Sequence, residues 1–362
     1  MSSVSPNPLL ETVRDFLSKG PMPASDFMSL ALYHPEHGYY RRGQGQWGFD
    51  GKDYYTALDL GPLLGETVAC ALYKAWLDLD RPVRFTVLEP GAGRGWLGRD
   101  ILNAATGDFA ESLQYIHCDD NPAARHEASK ALRQWLESGK AKIVGQSDKV
   151  EAFAGAVVSN ELFDALPAQP WRWEGGRWER EELVSLRGEN DGEASWGAFD
   201  PGEAGAWFGC HAEGGLYDGD GSVWAESLPQ VLDDICRPLE KGLFLAIDYG
   251  DGASRLIAKG AGIRRFARHR VDSRWWELPG KSDLTADADF TRLAHILSCL
   301  GIRAGKPVTL SKWIRENAPL AEWERQWQGM PQGERAARSQ NLLHLTLPSE
   351  MGDRFKVLQA VR

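Results

Sequence analysis

The segment Arg84-Phe85-Thr86-Val87-Leu88-Glu89-Pro90-Gly91-Ala92-Gly93-Arg94-Gly95 constrains the fold of this chain more than any other. It opens with an apolar run of strand length that closes on an acid. Three glycines at alternate positions follow, and Leu97 to Ala105 then repeats its apolar residues at helical spacing. Strand, glycine turn and helix in that order are the first half of a βαβ unit, which commits the chain to a parallel sheet. Glycines at such a turn let the backbone approach a ligand closely and take positive φ.

The alternation continues downstream. Gln114 to Asp119 reads as a second strand, Pro122 to Glu137 as a helix, and Ala141–Val144, Ala156–Ser159 and Gly242–Asp248 as further strands. The expected fold class is α/β, a Rossmann-like, mostly parallel sheet. Upstream, residues 9–19 and Gly65 to Leu79 read as amphipathic helices, and residues 35–53, rich in glycine and aromatics, as an ordered loop. The pattern breaks between Pro170 and Trp224, where Trp171, Trp173, Trp178, Trp196, Trp207 and Trp224 lie among glycines. So many indoles need a packing surface, so inserted hairpins are expected there rather than a linker. His344–Leu347 and Phe355–Leu358 read as two strands of a C-terminal hairpin that adds an antiparallel edge. The expected organisation is an N-terminal region over residues 1–80, a core over 81–170 and 226–362, and an inserted Trp/Gly-rich subdomain over 171–225.

The loop's chemistry narrows its ligand. A dinucleotide fingerprint places a third glycine where Trp96 stands, which counts against a nicotinamide cofactor. Glu89, two residues before the first glycine, repels a pyrophosphate but suits a cofactor bearing an amino group and a sulfonium. S-adenosylmethionine has both. Asp119, closing the next strand, accepts hydrogen bonds from ribose hydroxyls. The expected cofactor residues are therefore Glu89, Gly91, Ala92, Gly93, Gly95 and Asp119.

A second constellation, Ser159-Asn160-Glu161-Leu162-Phe163-Asp164, follows the fourth strand. Open α/β sheets bind ligands outside the carboxyl ends of their strands, so Asn160, Glu161 and Asp164 are the expected catalytic residues. Paired carboxylates hold a guanidinium bidentately. Asp248-Tyr249 ends the fifth strand at the same rim. Thr285 and Asp287 are read either as functional groups or as caps of a following helix.

A net charge of −10 lacks the basic footprint that nucleic-acid binding needs. The five cysteines, Cys70, Cys118, Cys210, Cys236 and Cys299, form no C-x-x-C pair and read as reduced thiols of a cytoplasmic protein. His34 and His37 have no ligand partners nearby in sequence, so no metal is expected. No membrane insertion and no signal peptide are expected, because no apolar run has the required length.

These residues resemble the MidA-like methyltransferases, a family that includes the mitochondrial complex I assembly factor that methylates a protein arginine. The resemblance runs from Phe27-Met28-Ser29-Leu30-Ala31-Leu32-Tyr33-His34-Pro35-Glu36-His37-Gly38-Tyr39-Tyr40 through Asp53-Tyr54-Tyr55-Thr56-Ala57 and Leu63-Leu64-Gly65-Glu66. It continues in the glycine loop, Asn160 to Pro167, Asp248-Tyr249-Gly250, Asp283-Leu284-Thr285-Ala286, Asp289-Phe290, Met351-Gly352 and Phe355-Lys356-Val357-Leu358. The chain departs from the family at Leu58-Asp59, where Pro-Glu is usual, and at Ala92 and Trp96, where proline and threonine are usual. The family's Thr-Gln segment after Gly301 is not evident. The resemblance implies a class I methyltransferase that uses S-adenosyl-L-methionine, with a protein arginine as acceptor and a protein substrate as partner. Two other readings stay open on the residues alone: a nicotinamide or flavin enzyme, and a non-catalytic assembly or binding factor that keeps the fold.

Overall fold

A computed structural model describes residues 7–41, 56–260, 262–267 and 270–362. Most of the loop expected at 35–53, and Asp53-Tyr54-Tyr55 of the resemblance, lie outside the described residues. The chain forms two compact units. One takes the described parts of Met1–Tyr54, Phe163–Leu228 and Gly250–Asp289, and the other takes Tyr55–Leu162, Pro229–Tyr249 and Phe290–Arg362.

The second unit is built on six strands: β1 (Phe85–Pro90), β2 (Leu113–Cys118), β3 (Ala141–Val144), β4 (Phe153–Asn160), β5 (Leu239–Asp251) and β6 (Phe355–Val361). In space they run β6-β5-β4-β1-β2-β3. The first five are mutually parallel, and β6 runs antiparallel to β5. Every residue of β1 is buried, which is why its sequence is a continuous apolar run rather than an alternating one. Strand order reverses between β1 and β4, the point where open α/β sheets bind their ligands.

Three helices matter for the site: α1 (Leu63–Asp78), α2 (Trp96–Ala104) and α3 (Pro122–Ala131). A Cβ at Gly65 of α1 would stand 2.4 Å from Cβ of Asp100 on α2, so glycine permits this close helix crossing. The helix expected over Pro122–Glu137 is interrupted at Leu132 and resumes as Arg133–Glu137. The expected C-terminal hairpin is corrected. Residues 344–346 end the helix Gln332–Thr346, and only Phe355–Val361 is a strand. Leu342 and Leu345 pack on the core with helical spacing, and four residues of that run were too few to distinguish the two periods. β6 is also not the edge, since Arg303–Ala304 and Val308–Thr309 pair along its other side.

The first unit holds the Trp-rich stretch. Gln169–Glu174 and Arg177–Gly188 form a hairpin through Gly175 and Gly176, both at positive φ, as a two-residue turn requires. Gly221–Trp224 pairs on one side, Asp191–Ala198 on the other, and Met22–Pro23 joins the same sheet. Trp171, Trp224, Ala204 and Phe208 share one buried cluster, with Trp178 and Trp207 packed against it. The two readings at Thr285 and Asp287 resolve as follows. Thr285 ends the strand Asp283–Thr285, and Asp287 is held by Lys259 at 2.8 Å and Arg264 at 2.7 Å.

Candidate active site

The carboxyl ends of β1, β2, β4 and β5 meet in register at one rim of the sheet. Glu89 pairs with His117 across β1–β2, and Asn160 with Ile247 across β4–β5. The glycine loop leaves β1 with Gly91, Gly93 and Gly95 at φ of 67°, 52° and 71°. The three glycines are required for different reasons. A Cβ at Gly91 would meet the Leu162 side chain at 2.8 Å, and one at Gly95 would meet Ala128 of α3 at 3.0 Å. A Cβ at Gly93 would meet nothing within 4 Å. The bare backbone there faces open space, as a ligand-bearing loop must.

The loop is tied down from below. The Gly93 N–H donates to Asp119 Oδ2 at 2.9 Å, and Asp119 Oδ1 accepts from the Asn121 N–H at 2.7 Å. Ala92 N–H donates to the Cys118 carbonyl at 3.2 Å. His117 is fully buried beneath, its Nε2 2.8 Å from the Gly93 carbonyl oxygen. A carbonyl only accepts, so Nε2 carries a proton. Burial pushes the His117 pKa below its ordinary value, which favours the neutral ring. Asp119 therefore uses both oxygens on backbone N–H groups, yet each keeps lone-pair capacity for a hydroxyl.

Glu89 is 3% exposed, and its Oε2 has no hydrogen-bond partner among the described residues. Burial raises its pKa well above the usual carboxylate range, and the charges of Asp119 and Asp100 add to the effect. A buried acid with an open oxygen at a ligand rim calls for a cationic or N–H donating ligand.

At the end of β4, Glu161 stands at φ 51°, an uncommon conformation for a residue with a side chain. Its N–H donates to the Ile247 carbonyl at 2.9 Å, and Asn160 Nδ2 donates to Glu161 Oε1 at 3.1 Å. Asn160 Oδ1 and Ser159 Oγ are buried without hydrogen-bond partners among the described residues. Asp248 is fully buried and accepts from the Leu162 N–H at 3.0 Å and from the Tyr249 N–H at 2.9 Å. One compact unit thus carries Glu89, the glycine loop, Asp119, Asn160 and Glu161. Asp164 belongs to the other unit, where it is buried and its carbonyl accepts from the Ala286 N–H at 2.8 Å.

Three features of the site escaped sequence reasoning. His117 sits at an inward position of β2 with no motif around it. Asp100 is a lone acid on the apolar face of α2, beside Leu97 and Ile101, and that misplacement was its signal. Asp59, 3% exposed, pairs with Arg94 at 2.8 Å, a contact between residues far apart in sequence.

A model of a family described as S-adenosyl-L-methionine-dependent methyltransferase matches residues 67–308. A mitochondrial protein arginine methyltransferase NDUFAF7 homologue of Drosophila melanogaster is 26% identical, covering 94% of this chain and 82% of its own. The mitochondrial protein arginine methyltransferase NDUFAF7 of Danio rerio is 23% identical, covering 98% and 87%. A solved structure from Burkholderia thailandensis with S-adenosyl-homocysteine bound superposes with a TM-score of 0.84 at 24% identity, over 98% of this chain and 92% of that one. These relatives correct one expectation. Scattered cysteines suggested a cytoplasmic protein, but the curated relatives are mitochondrial, and reduced thiols do not distinguish the two compartments. Among the described residues no helix is long and apolar enough to cross a membrane. With two thirds of its length matched by one family model, the chain belongs to the S-adenosyl-L-methionine-dependent methyltransferases.

Proposed function

We propose that this enzyme transfers the methyl group of S-adenosyl-L-methionine to the guanidinium of an arginine in a protein substrate. The observation that carries the reading is Glu161. A non-glycine residue at positive φ costs roughly 1–2 kcal/mol, and here the strain aims an acid, braced by Asn160, at the rim where the sheet order reverses. The relatives named as protein arginine methyltransferases support the acceptor class.

In this mechanism Glu89 and the backbone of residues 91–95 hold the methionine part of the cofactor, and Asp119 holds the ribose. Asn160 and Glu161, which share one unit, receive the guanidinium by its N–H groups. Bound S-adenosylmethionine would supply its sulfonium methyl group to a guanidinium nitrogen, the sulfur leaving as a neutral thioether with the electron pair of the broken C–S bond, and Glu161 would take the proton that the nitrogen releases. Alignment is the main contribution, worth up to about 7–11 kcal/mol in favourable cases.

The test is transfer of an isotopically labelled methyl group from S-adenosylmethionine to proteins of a mitochondrial extract, followed by fragmentation of the labelled peptides. Label on arginine is expected. Label confined to lysine, to a carboxylate or to a small molecule would reject the acceptor assignment.

A further inference from the structure

Arg94 stands between Gly93, whose N–H meets Asp119, and Gly95, which opens α2. Its side chain is held on two sides. Nη2 donates to Asp59 Oδ1 at 2.8 Å, and the guanidinium lies 3.7 Å from the centre of the Trp96 ring. Asp59 Oδ2 accepts from the Thr56 N–H at 2.8 Å and the Thr56 hydroxyl at 3.1 Å, closing a capping box on the short turn Ala57–Leu60. Leu60 in turn is bonded through its carbonyl to the Asn341 side chain. The Asp59 side chain is 3% exposed and Arg94 17%, so water screens the pair little. Arg99 lies 5.2 Å from the centre of the same ring and donates to Asp100 at 2.8 Å.

We propose that Asp59, Arg94 and Trp96 form a latch that sets the shape of the cofactor loop, which makes Asp59 and Arg94 positioning residues for cofactor binding. The loop needs one. Three glycines at positive φ give the unbound chain many alternative conformations, and only one presents the Gly93 backbone to open space. A ligand that must select that conformation binds more weakly by the fraction in which it is populated. Anchoring the middle residue of the loop by a buried, hydrogen-bonded ion pair and a stacked ring raises that fraction before the cofactor arrives. Arginine suits the position because its planar group stacks and donates at once, which a lysine does not. Two of the positions where the chain departs from the family it resembles, Asp59 and Trp96, are thereby one device, the acid reaching Arg94 and the ring covering it.

The inference rests on the reading that residues 89–95 seat the cofactor, and the experiment separates the two. Binding of S-adenosylhomocysteine is measured by calorimetry for the wild type and for Asp59→Ala, Arg94→Lys and Gly93→Val. Hydrogen exchange of the loop peptide is followed with and without ligand. Asp59→Ala and Arg94→Lys are each expected to weaken binding about tenfold, a competent fraction of roughly one in ten. Their loops should exchange faster than wild type when free and equally slowly when bound. A mere packing role would leave the exchange of the free loop unchanged. Wild-type affinity in folded Asp59→Ala or Arg94→Lys overturns the latch while leaving the seat in place. Wild-type affinity in Gly93→Val moves the cofactor elsewhere and overturns both.

Discussion

Glu89 is the residue at which charge, burial and ligand chemistry meet. With one oxygen unpartnered and its pKa raised by burial, it is held protonated in the empty site to a higher pH than a free carboxyl. A cationic ligand favours the ionised form, so binding S-adenosylmethionine expels that proton. Affinity is therefore expected to rise with pH until the raised pKa is passed. Calorimetry in two buffers of different ionisation enthalpy should record proton release, and Glu89→Gln should abolish it. Proton uptake, or an unchanged release in Glu89→Gln, would place the cation elsewhere. His117 has the opposite kind of shift. Its folded pKa is depressed below the ordinary 6.5, so the native state binds fewer protons than the unfolded one. Its contribution to stability is present above that ordinary value and lost as pH falls through the folded pKa. Glu161 is expected to act on transfer rather than on cofactor affinity. Glu161→Gln keeps the shape and weakens a charge-assisted hydrogen bond of about 1.5–3 kcal/mol, which predicts a loss of roughly ten- to a hundredfold in transfer rate. Loss of cofactor affinity with a full single-turnover rate would instead move Glu161 to the cofactor's own contacts.

At the scale of elements, legibility followed period and adjacency. The parallel strands were readable because buried strands are continuous apolar runs, and β1 gave its end away through an acid followed by glycines. The rim residues were readable because strand ends in such a sheet face one side. The C-terminal strand pair was misread since His344–Leu347, four residues long, lies at the end of a helix whose upstream residues, Gln332 to Ser339, are polar and mostly exposed. The Asp59–Arg94 pair was unreadable, because no local pattern announces an ion pair across 35 positions. The Trp-rich stretch carries its own prediction. Its sheet takes Met22–Pro23 as a strand, and Leu183 and Leu186 are buried with Val13, Phe27 and Met28 of the N-terminal helices. Residues 171–225 expressed alone should therefore remain unfolded, showing no cooperative melting. A stable folded fragment would show that the insertion carries its own core.

At the scale of the whole chain, each compact unit is assembled from three separate segments, and the chain passes between them at Leu162–Phe163 and at Tyr249–Gly250, directly beside Glu161 and Asp248. The residues proposed to hold the cofactor are not divided between the units. Glu89, the glycine loop, Asp119, the Asp59–Arg94 pair and their supporting core of Val87, Leu97, Ile101 and Ala156 lie in one unit of about 200 residues. A ligand that binds only the native form of that unit stabilises it by about 2.7 kcal/mol at a hundredfold excess over its Kd. For a unit of this size that corresponds to a rise in Tm of roughly 5–10 °C. Scanning calorimetry with S-adenosylhomocysteine should show this rise, and a progressively smaller one as the pH is lowered, since protonation of Glu89, whose pKa burial raises, weakens the ligand. NADH should produce none, because Trp96 fills the place of the third glycine and Glu89 repels the pyrophosphate. If the endotherm splits, the transition that moves must be the one recorded by the loop unit, which can be identified from the hydrogen exchange of the 89–95 peptide. A rise with NADH and none with S-adenosylhomocysteine would contradict the site, and a rise that does not change with pH would remove Glu89 from it.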